Sequence, residues 1–210
     1  MDKIKTKDKI VITALNLFNQ KGLSQVTLRT IAQEMGISQG NLNYHFKKRE
    51  EIIETLYFQL VESIDKGIAE HEEENNLQSF FQVFQVIMDS FYTYRFFLLD
   101  FVQIMREHKK IKVHYAQLNA IRTEQFQTLF ATLIANDIIR KEELPHEYEY
   151  LYKRLQILID FWISGSAIAK ERLSKKTISY YYEVIGQSLY PYLTPKGKTE
   201  YLLAMKIKKA

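Results

Sequence analysis

An all-α protein is expected, with a compact three-helix head followed by a larger helical body. Seven glycines and three prolines in 210 residues leave little of the turn chemistry that sandwiches and barrels require. Apolar residues recur at three- and four-residue spacing along most of the chain, and no segment shows the two-residue alternation of a half-buried strand. With 46% apolar and 26% charged residues, 13 Phe, 14 Tyr and one Trp, the chain has the means to bury a sizeable core.

The head reads as three short helices. Ile10, Val11, Ala14, Leu15 and Phe18 form one stripe of the first, and Gly22 is suited to stop it. Thr27 caps a second through Leu28, Ile31 and Ala32, ending at Gly36. Ser38 caps a third, from Gln39 to about Phe46. Helices this short bury little alone and must pack on one another. The stretch Ala32-Gln33-Glu34-Met35-Gly36-Ile37-Ser38 has the parts of a helix-turn-helix corner. Ala32 permits close crossing, Gly36 takes the positive φ that turns the chain, Ile37 plugs the turn and Ser38 starts the next helix.

The body has longer periods. Ile52, Leu56, Leu60, Ile64 and Ile68 predict a helix from Glu50 to about Glu70, and Leu77 to Phe91 predicts another. Further helices are expected over Phe96 to His108, Val113 to Ala135, Glu147 to Lys170 and Ile178 to Tyr190, with Pro145, Pro191 and Pro195 as punctuation. The domain reading is therefore residues 1–49 as a three-helix head with a helix-turn-helix corner and residues 50–210 as a larger helical body.

Composition narrows the chemistry. The absence of cysteine removes disulfides, thiolate metal sites and a thiol nucleophile. His45, His71, His108, His114 and His146 form no zinc motif, and no nucleophile elbow, Walker loop or dinucleotide fingerprint occurs. Glu143-Leu144-Pro145-His146 has one Glu-x-x-His spacing, but Pro145 makes it a helix-start turn. No enzyme, cofactor or metal is expected. The N-terminus lacks a signal-peptide core, and the apolar stretch Phe91 to Met105 is broken by Arg95 and Asp100, so a soluble cytoplasmic chain without a membrane partner is expected. Net charge is +4. Basic residues gather at Lys3 to Lys9, Lys47-Lys48-Arg49, Lys109-Lys110-Lys112 and Lys196 to Lys209, with Glu72-Glu73-Glu74 as an acidic interruption. Such runs are ordinarily solvated faces.

The third helix is different. Gln39, Gly40, Asn41, Asn43, Tyr44 and His45 surround only two apolar anchors, Leu42 and Phe46. Amides suit the paired donor and acceptor of adenine in the major groove, and Gly40 allows close backbone approach. Tyr44, His45, Lys47, Lys48 and Arg49 are placed to bond phosphates, as is the Thr27 hydroxyl at the start of the preceding helix. The expected DNA-binding set is Thr27, Arg29, Ser38, Gln39, Gly40, Asn41, Asn43, Tyr44, His45, Lys48 and Arg49, with double-stranded DNA as the expected partner.

Over about residues 9 to 56 the sequence resembles the TetR family of bacterial one-component regulators. The resemblance rests on Ala14, Phe18, Gly22, Thr27, Ile31, Ala32, Gly36, Ile37, Ser38, Gly40, Leu42, Tyr44, His45, Phe46, Glu50 and Ile52. Asn43 replaces the family's usual aromatic, and Arg49 its usual Lys. The resemblance implies a ligand-responsive regulator, a repressor acting on a palindromic operator as a homodimer. Its body would enclose a cavity for a small-molecule effector and use the last two long helices for dimer contacts. The bulky and small residues of Phe161 to Ala169 suit such an interface, with Tyr180, Tyr181 and Tyr182 at its rim. Phe84, Met88, Phe91, Met105, Phe126, Phe130, Asp160 and Trp162 are the ligand-binding candidates, favouring an apolar or aromatic effector. The helix from Glu50 is the expected lever. The alternatives are a helical protein-interaction module and a helical-bundle enzyme.

Overall fold

The computed structural model describes residues 5–71, 76–169 and 173–205. Among them lie the helices α1 (Thr6–Lys21), α2 (Leu28–Glu34), α3 (Gln39–His45), α4 (Arg49–Ala69), α5 (Leu77–Thr93), α6 (Arg95–Leu99), α7 (Phe101–Glu107), α8 (Lys109–Ala135), α9 (Glu147–Ile168), α10 (Lys175–Gln187) and α11 (Pro195–Ala204). Short 3₁₀ turns occupy Leu23–Gln25 and Tyr190–Tyr192, and Ile139 and Leu193 form an isolated antiparallel bridge. The Glu72-Glu73-Glu74 run, Lys3, Lys170 and the tail beyond Met205 lie outside the described residues. The chain divides into two compact units, Met1–Ser63 with Thr93–His114, and Ile64–Tyr92 with Tyr115–Ala210.

The first unit is built on the head. Ile10, Val11, Ala14, Leu17 and Phe18 of α1 are buried, as are Ile31 and Ala32 of α2 and Leu42 of α3. Gly22 ends α1 at φ 81°. Thr27 accepts from the Thr30 N–H at 3.2 Å and caps α2. At the other end of α2, Gly36 takes φ 65°, its N–H donates to Gln33 O, and the Ile37 N–H donates to Ala32 O. This paired closure satisfies the last carbonyls of α2 and sets up the corner. Ile37 itself is only half-buried. Ser38 then accepts from the Asn41 N–H at 3.2 Å to start α3. Buried Leu42 and Phe46 hold α3 down, each contributing roughly 1.5–3 kcal/mol.

One expected helix is divided. Phe96 to His108 forms α6 and α7, because Asp100 leaves helical geometry at φ −106° and ψ 20°. Its carboxylate accepts from the Leu23 N–H at 3.1 Å, supplying a partner to the 3₁₀ turn after α1. Asn19 reinforces the same docking. Its amide donates to Thr93 O at 2.8 Å and accepts from the Phe96 N–H at 3.0 Å, while Phe18 and Phe96 stack at 5.1 Å. In the same unit α4 meets the start of α8 through Glu54 and Lys110 at 3.0 Å, and through the Tyr57 hydroxyl and His114 Nδ1 at 2.9 Å.

The second unit buries Leu77, Phe81, Phe84 and Met88 of α5, Leu151, Leu155, Trp162 and Ile163 of α9, and Ile178 and Ile185 of α10. The α8–α9 seam is polar at one end, where the Tyr115 hydroxyl donates to Asp160 at 2.8 Å. It is aromatic at the other. Phe126 and Phe130 stack at 4.0 Å, Phe126 lies 4.8 Å from Tyr152, and Phe130 lies 5.2 Å from Tyr148. The Pro145 segment is the turn expected of it, with His146 at φ 61° before α9. The basic stretch after Lys196 is more than a charged tail, since it carries α11. Thr194 accepts from the Gly197 N–H at 3.0 Å, Pro195 occupies the first turn, and Tyr201 is buried. Thr-Pro before an apolar pair is a helix-start signal that the charge run obscured.

Candidate nucleic-acid interface

Gln39, Gly40 and Asn41 in the first turn of α3 are exposed, and Tyr44 in its last turn is 79% exposed. His45 is half-buried beside the Tyr44 ring, at 5.2 Å between centroids. Thr27, Arg29 and Ser38 are exposed, as are Lys47 and Lys48 just after α3. A Cβ built on Gly40 would meet nothing closer than Ser38 Oγ at 3.9 Å. The subunit therefore has room for alanine there, although glycine costs a helix about 1 kcal/mol relative to alanine. Room left on an exposed helix face is a reason to look outside the chain for what approaches it.

Two of the expected residues are placed differently from the rest. Asn43 is half-buried, and its amide oxygen is screened from solvent with no donor among the described residues. It follows Leu42 and precedes Phe46 by three positions, so it borders the face by which α3 is anchored. Arg49 turns inward, and its Nη1 donates to Leu23 O at 3.0 Å and to Val26 O at 3.2 Å. Lys7, which the sequence places only in a basic run, has a neighbour in the head. Its ammonium lies 5.4 Å from the centre of the Phe46 ring, next to the end of α3. The turn between α3 and α4 is held by Glu51, whose carboxylate accepts from the Lys47 N–H at 2.9 Å.

This geometry has relatives. Residues 10–56 match the family described as bacterial regulatory proteins of the tetR family, and residues 59–201 match the TetR family described as bacterial transcriptional repressor. The chain belongs to the TetR family. A probable helix-turn-helix transcriptional regulator of Bacillus subtilis strain 168, YttP, is 33% identical over 88 residues, 41% of this chain and 42% of that one. The Staphylococcus epidermidis negative regulator of the icaADBC biofilm operon, IcaR, is 33% identical over 89 residues, 40% of this chain and 46% of that one. The matches thus span less than half the length of these curated TetR-like relatives. A TetR-family regulator from Marinobacter aquaeolei VT8 superposes with a TM-score of 0.83 at 25% identity, over 98% of this chain and all of that one, 100%. The fold is also that of the ketosteroid regulator KstR2 of Mycobacterium tuberculosis, with a TM-score of 0.72 at 13% identity over 92% and 97% of the two chains.

The eight ligand candidates of this TetR-family chain are divided between the two units. Met105 is on α7 in the first unit. The other seven belong to the second unit. Phe84 stacks on Tyr182 at 5.1 Å and lines a small apolar cavity with Phe80, Leu155, Ile159, Ile185, Gly186 and Leu189. Met88 is buried and Phe91 half-buried on α5, while Phe126 and Phe130 belong to the aromatic end of the α8–α9 seam. Asp160 finds its partner in Tyr115. Burial pushes its carboxyl up to about 6, against the opposing effect of that hydrogen bond. Trp162 is buried beside Tyr181 at 5.3 Å between ring centres. Its Nε1, with Gln82 Oε1 and the Tyr201 hydroxyl, has no hydrogen-bond partner among the described residues. No helix among the described residues is long and apolar enough to cross a membrane.

Proposed function

We propose that this chain is a cytoplasmic, non-enzymatic repressor that binds a palindromic operator as a homodimer and is released by a small apolar or aromatic effector. The observation that carries the reading is α3 itself. It is a short helix anchored by Leu42 that offers solvent the amides of Gln39 and Asn41, the Tyr44 ring and a glycine the subunit does not need. Amides in a groove-sized helix discriminate bases, and Lys47, Lys48, Arg29 and Thr27 around it supply phosphate contacts that set its register. Residues 1–49 would carry this role, and residues 50–210 the effector site and the dimer contacts.

An exposed apolar stripe on α9 supports the homodimer. Ile157 is 61% exposed, Phe161 42% and Ile168 82%, and Gly165 between them has nothing within 4 Å of a built Cβ. Tyr180 and Val184 on α10 are exposed too, whereas Tyr182 turns inward to donate to Phe81 O. An apolar stripe of this kind on a long helix suits a second copy related by a two-fold axis. The effector reading is supported by the apolar second unit and its unpartnered polar atoms, since an unpaired buried donor or acceptor costs roughly 1–3 kcal/mol that a ligand's polar group relieves. Release requires that the effector bind a dimer geometry with wrongly spaced recognition helices more tightly than the operator-bound one.

Selection of bound duplexes from a random pool by the purified protein tests the proposal. A two-fold symmetric consensus with half-sites about one helical turn apart, roughly 34–36 Å, is expected. An asymmetric consensus, or retention of no duplex at low salt, overturns it.

A further inference from the structure

We infer that Arg49 is a positioning residue of the DNA-binding head, setting the α2 entrance against the recognition helix, rather than a phosphate ligand. The inference rests on the DNA-binding reading of the head.

Arg49 is the first residue of α4, where the partial positive charge of the helix N-terminus makes a cation unwelcome. It is retained at this place by two carbonyls. Nη1 donates to Leu23 O and Val26 O at 3.0 and 3.2 Å, the two residues that bracket the 3₁₀ turn leading into Thr27, the cap of α2. One guanidinium nitrogen thus joins the chain before α2 to the chain after α3, across sequence separations of 26 and 23 residues. Both bonds are charge-assisted, which makes them stronger and more directional than neutral ones. The residues on either side of the link are the proposed phosphate ligands, Thr27 and Arg29 on one side and Lys47 and Lys48 on the other. Their mutual spacing has to match that of the DNA backbone while α3 lies in the groove. A residue that fixes this spacing governs how well the amides of α3 register on bases, and it does so without touching DNA. Arg49 is half-buried, whereas Lys47 and Lys48 are exposed, so the three neighbouring cations divide into one strut and two solvent-facing charges.

The test measures binding to the selected operator and to a random duplex across a salt series, for wild type, Arg49→Met, Arg49→Lys and Lys48→Ala. Removing one phosphate-binding cation from the interface lowers the magnitude of the log-log salt slope by about 0.9 and weakens both duplexes alike. This is the behaviour expected of Lys48→Ala. Arg49→Met is expected to keep the wild-type slope while operator affinity falls by about tenfold or more, the scale set by loss of charged hydrogen bonds, and the operator-to-random ratio falls with it. Arg49→Lys keeps the charge but loses the planar fork, and it is expected to share the lowered ratio at an unchanged slope. That arm stands even if Arg49→Met fails to fold. A slope reduced in Arg49→Met, or a wild-type ratio in Arg49→Lys, overturns the inference. Salt-insensitive binding by the wild type, or none, instead overturns the DNA-binding reading on which it rests.

Discussion

The Tyr115 hydroxyl donates to the Asp160 carboxylate at 2.8 Å between α8 and α9, and no cation lies within ion-pair distance of Asp160 among the described residues. The carboxyl is pushed up to about 6 by burial, only partly offset by Tyr115. The folded protein therefore holds a proton more tightly than the unfolded chain, whose Asp titrates near 3.9. The associated stability is fully present below about pH 4 and is lost as pH rises toward 6. Asp160→Asn, which retains an acceptor for Tyr115, is expected to raise the melting temperature at pH 7 and to leave it near wild type at pH 4. Parallel melting curves across that range would remove the explanation.

The opposite sign applies at Arg140. Its guanidinium hydrogen bonds hold the Glu147 carboxyl down to about 2, through Nη1 to Oε2 at 2.8 Å and Nη2 to Oε1 at 2.7 Å. Here the stability is present above about pH 4.5 and is lost as pH falls toward 2. Glu147→Gln should melt earlier than wild type at pH 7, with the gap closing in acid. A gap that persists at pH 2 would assign the loss to packing instead of charge.

Asn19 makes two bonds to the segment that opens α6, and removing them leaves the Phe96 N–H without its acceptor. Asn19→Ala is expected to cost about 1–3 kcal/mol in urea unfolding and to speed hydrogen exchange over residues 95–107 before the rest of the first unit. Uniform exchange at the wild-type rate would show that the docking does not depend on this amide.

Gln39→Ala and Asn41→Ala are expected to relax discrimination between the operator and its single-base variants by about 1–3 kcal/mol each at the bases they read. Both amides are exposed at the start of α3, in contrast to the screened amide of Asn43. Measured affinities that fall equally for every duplex would place these residues on the backbone.

Ile157→Arg should convert the proposed homodimer to a monomer in sedimentation equilibrium while its helical circular dichroism is kept, since Ile157 is 61% exposed in the single chain. A dimer that survives this charge would locate the interface elsewhere.

Residues close together in the chain made much of the head legible. Thr27, Gly36 and Ser38 act on neighbours within a few positions, and a hydroxyl aligned with a free N–H, or a positive φ, is a local requirement that residue type announces. The same holds for the start of α3, where Gln39 and Asn41 are exposed as their residue type suggests, whereas the screened amide oxygen of Asn43 was not open to such a reading. The break at Asp100, the inward turn of Arg49 and the pairing of Asp160 with Tyr115 were not open to that kind of reading. Their partners are 77, 23 to 26, and 45 residues away. A carboxylate or guanidinium facing water has many equivalent choices, and the choice is made when packing excludes solvent and brings one particular carbonyl, hydroxyl or amide within reach. Apolar periodicity orders the chain into helices, whereas the polar groups that join those helices take their roles from the folded neighbourhood.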